Sequence, residues 1–538
     1  HPARELILPM KRYDIVPAPS TVRYGEGKSF FSAVVVERDG FEERYFAQTL
    51  APGNVRVVRA GEESGQTLFV AAREDRSMPD EAYSLAVKGG RAEIVFGKRG
   101  LLYAYVTLSQ ILAQSDGAVT DAEIEDRPYC GYRGLMLDSA RYFIPADDVR
   151  KIADLCVMHK LNAIHMHLTD DQGWRLESDA YPRLHRVGSR RSHTNFGCRP
   201  HEGYYTKAEM RSILRYCAER NIEVVPEIDM PGHMRAALAA YPELGCFGRK
   251  LPVATHSGVK HDILCAGKDE VYSFVFRVLD EAAELFRGYT RYIHIGGDEA
   301  PKMRWDICPA CRRKAKEEGL KDSEQLQGFF MKKVAEHVCG LGFAPVVWNE
   351  KCMEGFMPEQ TVWQYWHTDG GMDEKGTAAT AAAGGGMINS DSAYAYVDLP
   401  YGTISLEKSY KFTPKLPGMP EEKALGGELE LWGEYIPDYK TLLKRCLPRS
   451  CALAERMWSG TDGDYAGFAK RSVAFVSYLS SKGYDGEKRK AVYDPSALKG
   501  SLQKLWFERR QLHWEGLHNL IDDAIVKKQH GTEGTVAG

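Results

Sequence analysis

The pattern of hydrophobic and polar positions changes near residue 130. Before it, three short runs rich in β-branched residues are separated by polar turns, which predicts strands. These runs are SAVVVER (32–38), NVRVVRA (54–60) and TLFVAARE (67–74). Residues 81–97, EAYSLAVKGGRAEIVFG, predict a hairpin turning at Gly89-Gly90, and 99–114 predict an apolar helix. We therefore predict a small α+β domain over residues 1–130.

After Gly134, short apolar runs alternate with longer helix-patterned segments. Eight runs predict strands: 134–140, 162–170, 222–229, 291–298, 344–350, 361–366, 387–393 and 427–434. One intervening helix pattern, TKAEMRSILRYCAER, offers Thr206 as N-cap and Glu209 to complete a capping box. Eight strands with intervening helices favour a (β/α)₈ TIM barrel over residues 131–485. A doubly wound parallel sheet is the alternative.

Polar residues stand at the carboxyl ends of most of these strands. They are Asp138, Asp170-Asp171, Glu227, Asp229, Asp298-Glu299, Asn349-Glu350, Gln364 and Glu434. One acidic residue after a strand is usually a helix N-cap. Six strand ends that each carry an acidic residue favour an active site instead, because a barrel builds its site at the carboxyl ends of its strands. A doubly wound sheet would not place polar residues at nearly every strand end.

The C-terminal part is predicted to be helical. Residues 437–458 and 465–483 have the pattern of helices that close the barrel. Residues 486–538 form an extension whose Leu, Trp and Phe spacing predicts packing against the barrel, and a homodimer through it is possible. The last residues, 530–538, are expected to be disordered.

Composition excludes several classes of protein. Of 538 residues, 43% are hydrophobic and 27% charged, with a formal net charge of -3, as in ordinary globular proteins. This balance gives no reason to expect nucleic acid as a partner. No apolar run approaches the ~18–20 residues of a transmembrane helix. The chain starts at His1, so a removed signal peptide would leave no trace; we expect an exported protein (periplasmic, surface or secreted) rather than a cytoplasmic one.

Two groups of residues raise the question of a metal. Cys308 and Cys311 have a zinc-like spacing, but no second pair follows at a suitable spacing. A metal site, a local disulfide and two plain thiols all remain open. His165 and His167 share one face of a predicted strand, as in some metal-dependent barrel hydrolases, or they are satisfied residues of the barrel interior.

Tryptophans gather at the same strand ends. Trp348, Trp363, Trp366 and Trp432 lie on or next to predicted strands, and Trp174 and Trp305 follow two others. A single such residue is best interpreted as core. A cluster around one barrel mouth, combined with carboxylates, instead suits a pyranose, whose C–H faces stack on aromatic rings.

The segment YIHIGGDEAPK contains adjacent carboxylates, Asp298 and Glu299. The usual pair of glycosidase carboxylates is ~5–5.5 Å or ~6.5–9.5 Å apart across the sugar, whereas neighbours on a strand point to opposite faces. Gly296-Gly297 allows the backbone to leave strand geometry first, so both carboxylates can face one substrate. The alternative is a turn and N-cap before Pro301.

Four motifs occur together and in order: HMHLTDDQGWR, VVPEIDMPGH, YIHIGGDEAPK and LWGE. They resemble glycoside hydrolase family 20, the β-N-acetylhexosaminidases, from about Arg133 to Gly460. The N-terminal part resembles the α+β domain that often precedes that barrel. The resemblance implies an exo-acting, retaining enzyme that releases terminal β-linked GlcNAc, with GalNAc left open, from glycans or glycoconjugates without metal or organic cofactor.

The resemblance also implies a substrate-assisted mechanism, an exception to the two-carboxylate scheme. The carbonyl oxygen of the 2-acetamido group would attack the anomeric carbon and form a cyclic oxazolinium ion. Glu299 would be the general acid and then the general base. Asp298 would accept the acetamide N–H, stabilise positive charge and help keep Glu299 protonated. Tyr396 would bind the acetamide carbonyl, and Asp170 and His233 would form a relay to Glu299.

Six further residues are implied to bind substrate: Arg141, Asp398 and Glu434 through sugar hydroxyls, and Trp348, Trp366 and Trp432 as pocket walls. The sequence departs from many relatives at Met166 (often Trp) and at Asn349 (often Asp), which leaves the contacts of Asn349 open. Two rival functions are a metal-dependent hydrolase using His165 and His167, and a catalytically silent carbohydrate-binding protein. The intact set of Asp298, Glu299 and Tyr396 argues against the second.

Overall fold

The computed structural model describes residues 12–62, 65–194, 199–367, 371–460, 463–511 and 515–530.

The N-terminal part forms one mixed sheet. In spatial order, the seven strands are Thr21–Phe30, Ala118–Asp126, Tyr83–Lys88, Arg91–Phe96, Thr67–Glu74, Ala33–Val36 and Val57–Val58. The almost wholly buried helix Gly100–Ala113 packs against this sheet. The predicted strands, the hairpin and the helix are all present. The strands Thr21–Phe30 and Ala118–Asp126, which pair with each other, were not predicted.

The second part is a closed barrel of eight parallel strands. They are β1 (Tyr132–Asp138), β2 (Ala163–His167), β3 (Glu223–Glu227), β4 (Tyr292–His294), β5 (Ala344–Trp348), β6 (Val362–Tyr365), β7 (Met387–Asn389) and β8 (Ala424–Leu431). Each strand pairs with its neighbours in chain order, and β8 pairs with β1. The predicted TIM barrel is therefore confirmed, and the doubly wound alternative is wrong.

Helices follow most of the barrel strands, and two further helices, Phe41–Tyr45 and Gly100–Ala113, belong to the N-terminal part. The α-helices are Phe41–Tyr45, Gly100–Ala113, Ala146–Met158, Arg183–Arg186, Lys207–Ala218, Arg235–Ala240, Asp269–Phe286, Met303–Ile307, Pro309–Glu317, Ser323–Gly340, Glu374–Ala383, Leu406–Tyr410, Tyr439–Cys446, Arg449–Ser459, Tyr465–Ser481, Lys490–Tyr493, Ala497–Gln511 and Glu515–His530. Thr206 accepts a hydrogen bond from the Glu209 amide, and Glu209 returns one to the Thr206 amide. The predicted capping box is therefore confirmed.

Irregular and minor elements complete the chain. A π-helical turn covers Phe46–Leu50, and 3₁₀ turns cover Pro242–Leu244, Lys351–Met353 and Glu421–Lys423. In the loops after β2, two-residue strands pair as Thr169–Asp170 with Gly173–Trp174, and as Arg190–Arg191 with His201–Glu202. Between β5 and β6 the 3₁₀ turn replaces an α-helix.

The C-terminal extension packs on the barrel, as predicted. Asp522 is bonded to Arg249, and Asp523 to Arg304 and His261, all from loops after β3 and β4. Helix Ala497–Gln511 buries Phe507 but exposes Leu498, Leu502, Leu505 and Trp506. These leucines and this tryptophan, whose spacing predicted the packing, therefore do not make it, and the homodimer stays a prediction. The expected disorder at 530–538 falls almost wholly outside the described residues.

None of the described helices has both the length and the hydropathy to cross a bilayer.

A buried ion pair joins the two parts. Lys160 Nζ lies 2.8 Å from Asp126 Oδ2, and both side chains are fully buried. Nζ also donates to Tyr83 Oη, and Asp126 accepts from Trp458 Nε1. Removal of one member of a buried pair leaves the other charge without compensation.

We expect Lys160→Met to lower the free energy of unfolding by about 3–5 kcal/mol, because Asp126 would stay buried without its cation. Urea unfolding, followed by circular dichroism, measures this. Lys151→Met is the control, since Lys151 and Asp148 form a partly exposed pair with side chains 54% and 21% exposed and such pairs contribute about 0–1 kcal/mol. Equal losses in both variants would contradict the assignment.

Candidate functional site

A cavity lined by both charged and aromatic side chains opens at the carboxyl ends of the barrel strands. Its volume is about 210 Å³, which is less than the ~300–1,000 Å³ of pockets for drug-sized ligands. All eleven predicted site residues line it: Arg141, Asp170, His233, Asp298, Glu299, Trp348, Trp366, Tyr396, Asp398, Trp432 and Glu434. A cavity of this size and polarity suits one small hydroxylated ring.

The backbone after β4 turns both adjacent carboxylates toward the cavity. The strand ends at His294, and Gly296 and Gly297 have φ values of 62° and 105°. A Cβ at Gly296 would overlap Asp229 Oδ1, so glycine is required there for both conformation and space. The predicted departure from strand alternation is confirmed, because neither Asp298 nor Glu299 lies in a strand.

Two residues of the site hold an unfavourable backbone conformation. Glu299 has φ 46° and His233 has φ 54°, in the left-handed region that side chains other than glycine rarely occupy. Such residues persist where the surrounding structure over-determines them, which is common at functional sites. Here the left-handed turns bring the Glu299 and His233 side chains together.

His233 lies between the carboxylates. Its Nε2 is 3.5 Å from Glu299 Oε2 and 3.7 Å from Asp298 Oδ2, and its Nδ1 is 3.3 Å from Asp170. The Asp298 side chain is 11% exposed, whereas that of Glu299 is 43% exposed. Asp298 is thus the inner carboxylate, and Glu299 is the one that reaches toward solvent.

The two carboxylates have opposite pKa shifts. Burial raises the pKa of Asp298 to about 7, although the charge of His233 opposes this. Burial also raises the pKa of Glu299, but the nearby charge of His233 outweighs it, so that pKa lies below its usual value. Burial opposes charge on His233, yet Asp170 and Asp229 raise its pKa well above normal. In the unliganded protein the two pKa shifts therefore favour protonation of Asp298 over Glu299, and the expectation that ionised Asp298 keeps Glu299 protonated stays a prediction.

Arg141 organises one wall of the cavity. Its guanidinium is 2.8 Å from Asp170 Oδ2 and 3.1 Å from Asp138 Oδ2, and Nε donates to Gln172 Oε1 at 3.0 Å. Glu434 Oε1 is 3.9 Å from Nη2. Burial disfavours the ionised form of Asp170, but Arg141 and His233 hold its pKa well below its usual range. A permanent cation thus stands beside Glu434 on the rim.

Three tryptophans and Tyr396 form the apolar walls. Trp348 Nε1 donates to Glu227 Oε1 at 2.9 Å, which fixes this ring on the floor. The ring planes of Trp366 and Tyr396 are nearly parallel, with an interplanar angle of 7°, and the ring centroids are 6.4 Å apart. Trp432 lies 5.9 Å from Trp348 and 6.2 Å from Tyr396. These rings leave a flat-sided slot.

Several polar atoms in the slot have no partner in the described structure. They are Asp298 Oδ1, Asp398 Oδ1, Trp366 Nε1 and His233 Nε2, all buried. Burial and Glu434 raise the pKa of Asp398 to about 8. Buried polar atoms without partners cost free energy, so these four are the natural points for a polar ligand to bind.

Five other residues that line the cavity were not among the predicted catalytic and substrate-binding residues: His167, Asp229, Leu399, Tyr435 and Phe507. Asp229 accepts from the Gly297 amide at 3.2 Å and lies under the carboxylate loop. Its position at a strand end was visible in the sequence. Phe507, from the C-terminal extension, packs edge-on against Tyr435 at 4.9 Å, and no local signal links it to the barrel mouth.

Some residues expected at the mouth lie elsewhere. Trp174, Trp305 and Trp363 are buried in the core, so the sugar-binding interpretation applies to only three of the six tryptophans. Gln364 donates to Glu428 inside the barrel. Asn349 is buried: its amide group donates to the carbonyls of His367 and Met372, and its oxygen accepts the Trp366 amide. Asn349 therefore positions the loop that carries Trp366 and does not line the cavity.

His165 and His167 belong to a hydrogen-bonded network in the barrel interior. His165 contacts Glu428 at 2.8 Å and Glu227 at 3.2 Å. His167 contacts Glu227 and, at 2.9 Å, Asp170. Only His167 reaches the cavity. Carboxylates hydrogen-bond three of the four ring nitrogens, and only His165 Nε2 has no hydrogen bond among the described residues. The arrangement therefore favours histidines of the barrel interior over an open metal site.

Comparisons with known proteins agree with this geometry. Residues 130–461 match the glycosyl hydrolase family 20 catalytic domain, and residues 12–127 match domain 2 of that family. The chain is 36% identical over 436 residues to a Porphyromonas gingivalis β-hexosaminidase, covering 77% of this chain and 56% of that protein. It is 37% identical over 417 residues to an Akkermansia muciniphila β-hexosaminidase, covering 74% and 83%.

A solved structure shares the fold over most of the chain. The mutant Streptomyces plicatus β-hexosaminidase in complex with its product GlcNAc has a TM-score of 0.77 and 32% identity, covering 89% of this chain and 97% of that one. The family 20 models together span most of the present chain. The chain thus belongs to glycosyl hydrolase family 20 and is a glycoside hydrolase.

Proposed function

We propose that the protein is an exo-acting, retaining β-N-acetylhexosaminidase that removes terminal β-linked GlcNAc from glycans or glycoconjugates, with GalNAc also admitted. The observation that carries this proposal is the pair Asp298 and Glu299, adjacent in sequence and facing one cavity beside His233. Adjacent carboxylates cannot take the two sides of a sugar, as the ordinary two-carboxylate schemes require. The names of the related enzymes support the same activity.

In this proposal the nucleophile comes from the substrate. The acetamide carbonyl oxygen attacks the anomeric carbon while Glu299 protonates the departing glycosidic oxygen, and an oxazolinium ion forms with loss of the aglycone. Glu299, now ionised, removes a proton from water as the water opens this ion. Two successive inversions at one carbon retain the β configuration. The exposure of Glu299 suits both its encounters, first with the leaving group and then with water.

Asp298 and Tyr396 orient the acetamide. The unpartnered Asp298 Oδ1 would accept the acetamide N–H, and Tyr396 would donate its hydroxyl to the carbonyl. The charge on Asp298 would then stabilise the developing oxazolinium ion in a site with little water. The tryptophan walls hold the acetamide methyl group and the ring, and Arg141, Asp398 and Glu434 bind hydroxyls.

Substrate binding would reverse the protonation of the carboxylates. The free protein holds the proton on Asp298, as its raised pKa indicates. A hydrogen bond from the acetamide N–H stabilises the ionised form of Asp298, and the resulting charge raises the pKa of Glu299. His233, within reach of both carboxylates, is placed to carry the proton between them. The catalytic protonation state is thus formed only when an acetamide is bound.

The cavity volume supports exo-action, because it holds one ring. We propose that Phe507 and Tyr435, at the rim, contact the next sugar, so the C-terminal extension contributes to the aglycone side. We further propose three domains, with bounds 1–130, 131–485 and 486–538. We also propose that the protein is exported and that it forms a homodimer. No metal or organic cofactor takes part in the proposed hydrolysis.

A panel of 4-nitrophenyl β-glycosides tests the function. We expect turnover of the β-GlcNAc compound and slower turnover of β-GalNAc, whose axial 4-hydroxyl changes the contacts with Arg141 and Glu434. The β-glucoside should be at least ~10²-fold slower in kcat/KM, because it lacks the nucleophile and cannot reach Asp298 or Tyr396. Equal turnover of the glucoside would refute acetamide participation, and failure to hydrolyse all three would favour a silent binding protein.

A further inference from the structure

Four cysteine sulfurs converge beside the active-site loops. They belong to Cys246, Cys265, Cys308 and Cys311, and all four Sγ atoms lie within 4.8 Å of one another. Cys265 Sγ is 3.5 Å from Cys311 Sγ and 3.8 Å from Cys308 Sγ, and Cys246 Sγ is 3.8 Å from Cys311 Sγ. None of the four forms a disulfide.

These separations match a tetrahedron of thiolates. Zinc bonds to cysteine sulfur at about 2.3 Å, so the edges of a regular ZnS₄ tetrahedron are ~3.8 Å long. The three measured separations are 3.5–3.8 Å. A disulfide needs ~2.05 Å between sulfurs. Three of the six sulfur–sulfur edges therefore match such a tetrahedron, and the other three are no longer than 4.8 Å.

The chain builds this position from three segments. Cys308 caps the helix Pro309–Glu317 and Cys311 lies in its first turn, as the pair of a C-P-A-C turn. Cys246 and Cys265 come from the long loop after β3, joined by a bridge between Gly245 and Leu264. The sequence pattern lacked a second cysteine pair near Cys308 and Cys311. The structure supplies it as Cys246 and Cys265, which lie earlier in the chain and approach the first pair only in the folded protein.

The surroundings suit a structural rather than a catalytic ion. Cys265, Cys308 and Cys311 are buried, and Cys246 is partly buried. A Cβ at Gly267 would overlap the backbone of Ala310, so the upstream loop is packed tightly on the C-P-A-C turn. The positive end of a helix dipole favours thiolates in its first turn. Four protein ligands leave no open position for water or substrate.

We propose that Cys246, Cys265, Cys308 and Cys311 bind one structural Zn²⁺ as thiolates. Binding exchanges four thiol protons for the ion, with no change of oxidation state. The site ties the segment after β3, which carries His233, to the segment after β4, which carries Asp298 and Glu299. Trp305 Nε1 adds a 2.8 Å hydrogen bond to the Leu264 carbonyl between the same loops. The ion thereby fixes the distance between His233 and Glu299 without touching substrate.

The first test is the metal content of the full chain, purified without a metal-affinity tag or chelator. Elemental analysis should give one zinc per chain, and a mercurial thiol reagent should release it to a colorimetric indicator. A Co²⁺-loaded sample should show thiolate-to-metal charge transfer and the intense visible bands of tetrahedral cobalt. Fewer than ~0.1 zinc per chain with no cobalt spectrum, or mass-spectrometric detection of disulfides among the four cysteines, would overturn the proposal.

Variants locate the ion. Cys311→Ser should reduce the zinc content at least tenfold and lower the thermal midpoint, whereas Cys339→Ser, at a partly buried cysteine of another helix, should retain one zinc. If Cys311→Ser does not fold, the cobalt spectrum of the unmodified protein still decides the question. Full zinc content in folded Cys311→Ser would contradict the ligand assignment. Because metal content is independent of glycosidase activity, this result is separate from that of the proposed hydrolysis.

Discussion

Glu299→Gln is expected to lower kcat for an unactivated β-GlcNAc disaccharide on the order of 10²–10⁴-fold. The variant keeps the size and hydrogen-bonding capacity of the side chain but can neither protonate the leaving oxygen nor activate water. Steady-state release of GlcNAc measures it. The variant should fold normally, because the Glu299 side chain is 43% exposed and its burial contributes little to stability.

Leaving-group dependence separates an acid role from a structural one. For Glu299→Gln, the first chemical step with a 4-nitrophenyl or dinitrophenyl aglycone should be impaired much less than with a sugar aglycone, because a good leaving group needs little protonation. A pre-steady-state burst then reports the surviving first step. A uniform loss across all aglycones would indicate misfolding or mispositioning, and unchanged turnover of the disaccharide would remove Glu299 from the mechanism.

Asp298→Asn is expected to reduce kcat on the order of 10²-fold or more, with a smaller effect on KM. Asparagine can still accept the acetamide N–H, so binding is partly retained. The loss comes from the missing negative charge beside the oxazolinium ion. Kinetics with 4-nitrophenyl β-GlcNAc measure the split between kcat and KM. An equal kcat with raised KM would mean that Asp298 only binds substrate.

The pH profile of kcat/KM reports the same residue. In the protein without substrate, Asp298 and Glu299 together hold one proton below pH about 7, and the raised pKa of Asp298 places it there. Substrate binding then only moves this proton to Glu299. Above that pH both are ionised, so productive binding must take up a proton and kcat/KM falls. The residual activity of Asp298→Asn should lack this fall near pH 7. A fall at an unchanged pH in the variant would assign it to another group.

The barrel was predictable from the sequence because its signal repeats eight times. Short buried strands, polar strand ends and helix patterns such as the Thr206 capping box reinforce one another. The strand Thr21–Phe30 was missed because Gly25, Gly27 and charged residues interrupt its alternation, and a register shift occurs at that point. The acidic residues of Ala118–Asp126 similarly resemble a polar turn in the sequence.

The candidate site was predictable where its residues follow strand ends or long motifs. Trp348 and Trp305 show the limit: Trp348 ends β5 and Trp305 comes after β4, but only Trp348 lines the cavity. Phe507 reaches the rim only because the extension folds back. The pKa order of Asp298 and Glu299 depends on His233, whose position requires the left-handed turns. The four-cysteine cluster likewise depends on a bridge between distant segments.

The central claim is that the acetamide carbonyl of the substrate is the nucleophile. A series of 4-nitrophenyl β-glucosaminides with acetyl, fluoroacetyl, difluoroacetyl and trifluoroacetyl groups on nitrogen tests it most directly. Fluorine withdraws electrons from the carbonyl oxygen while changing the size of the group little. We predict that kcat/KM falls steeply with each added fluorine. A flat series would contradict the claim, since a protein nucleophile would not sense the acetamide carbonyl.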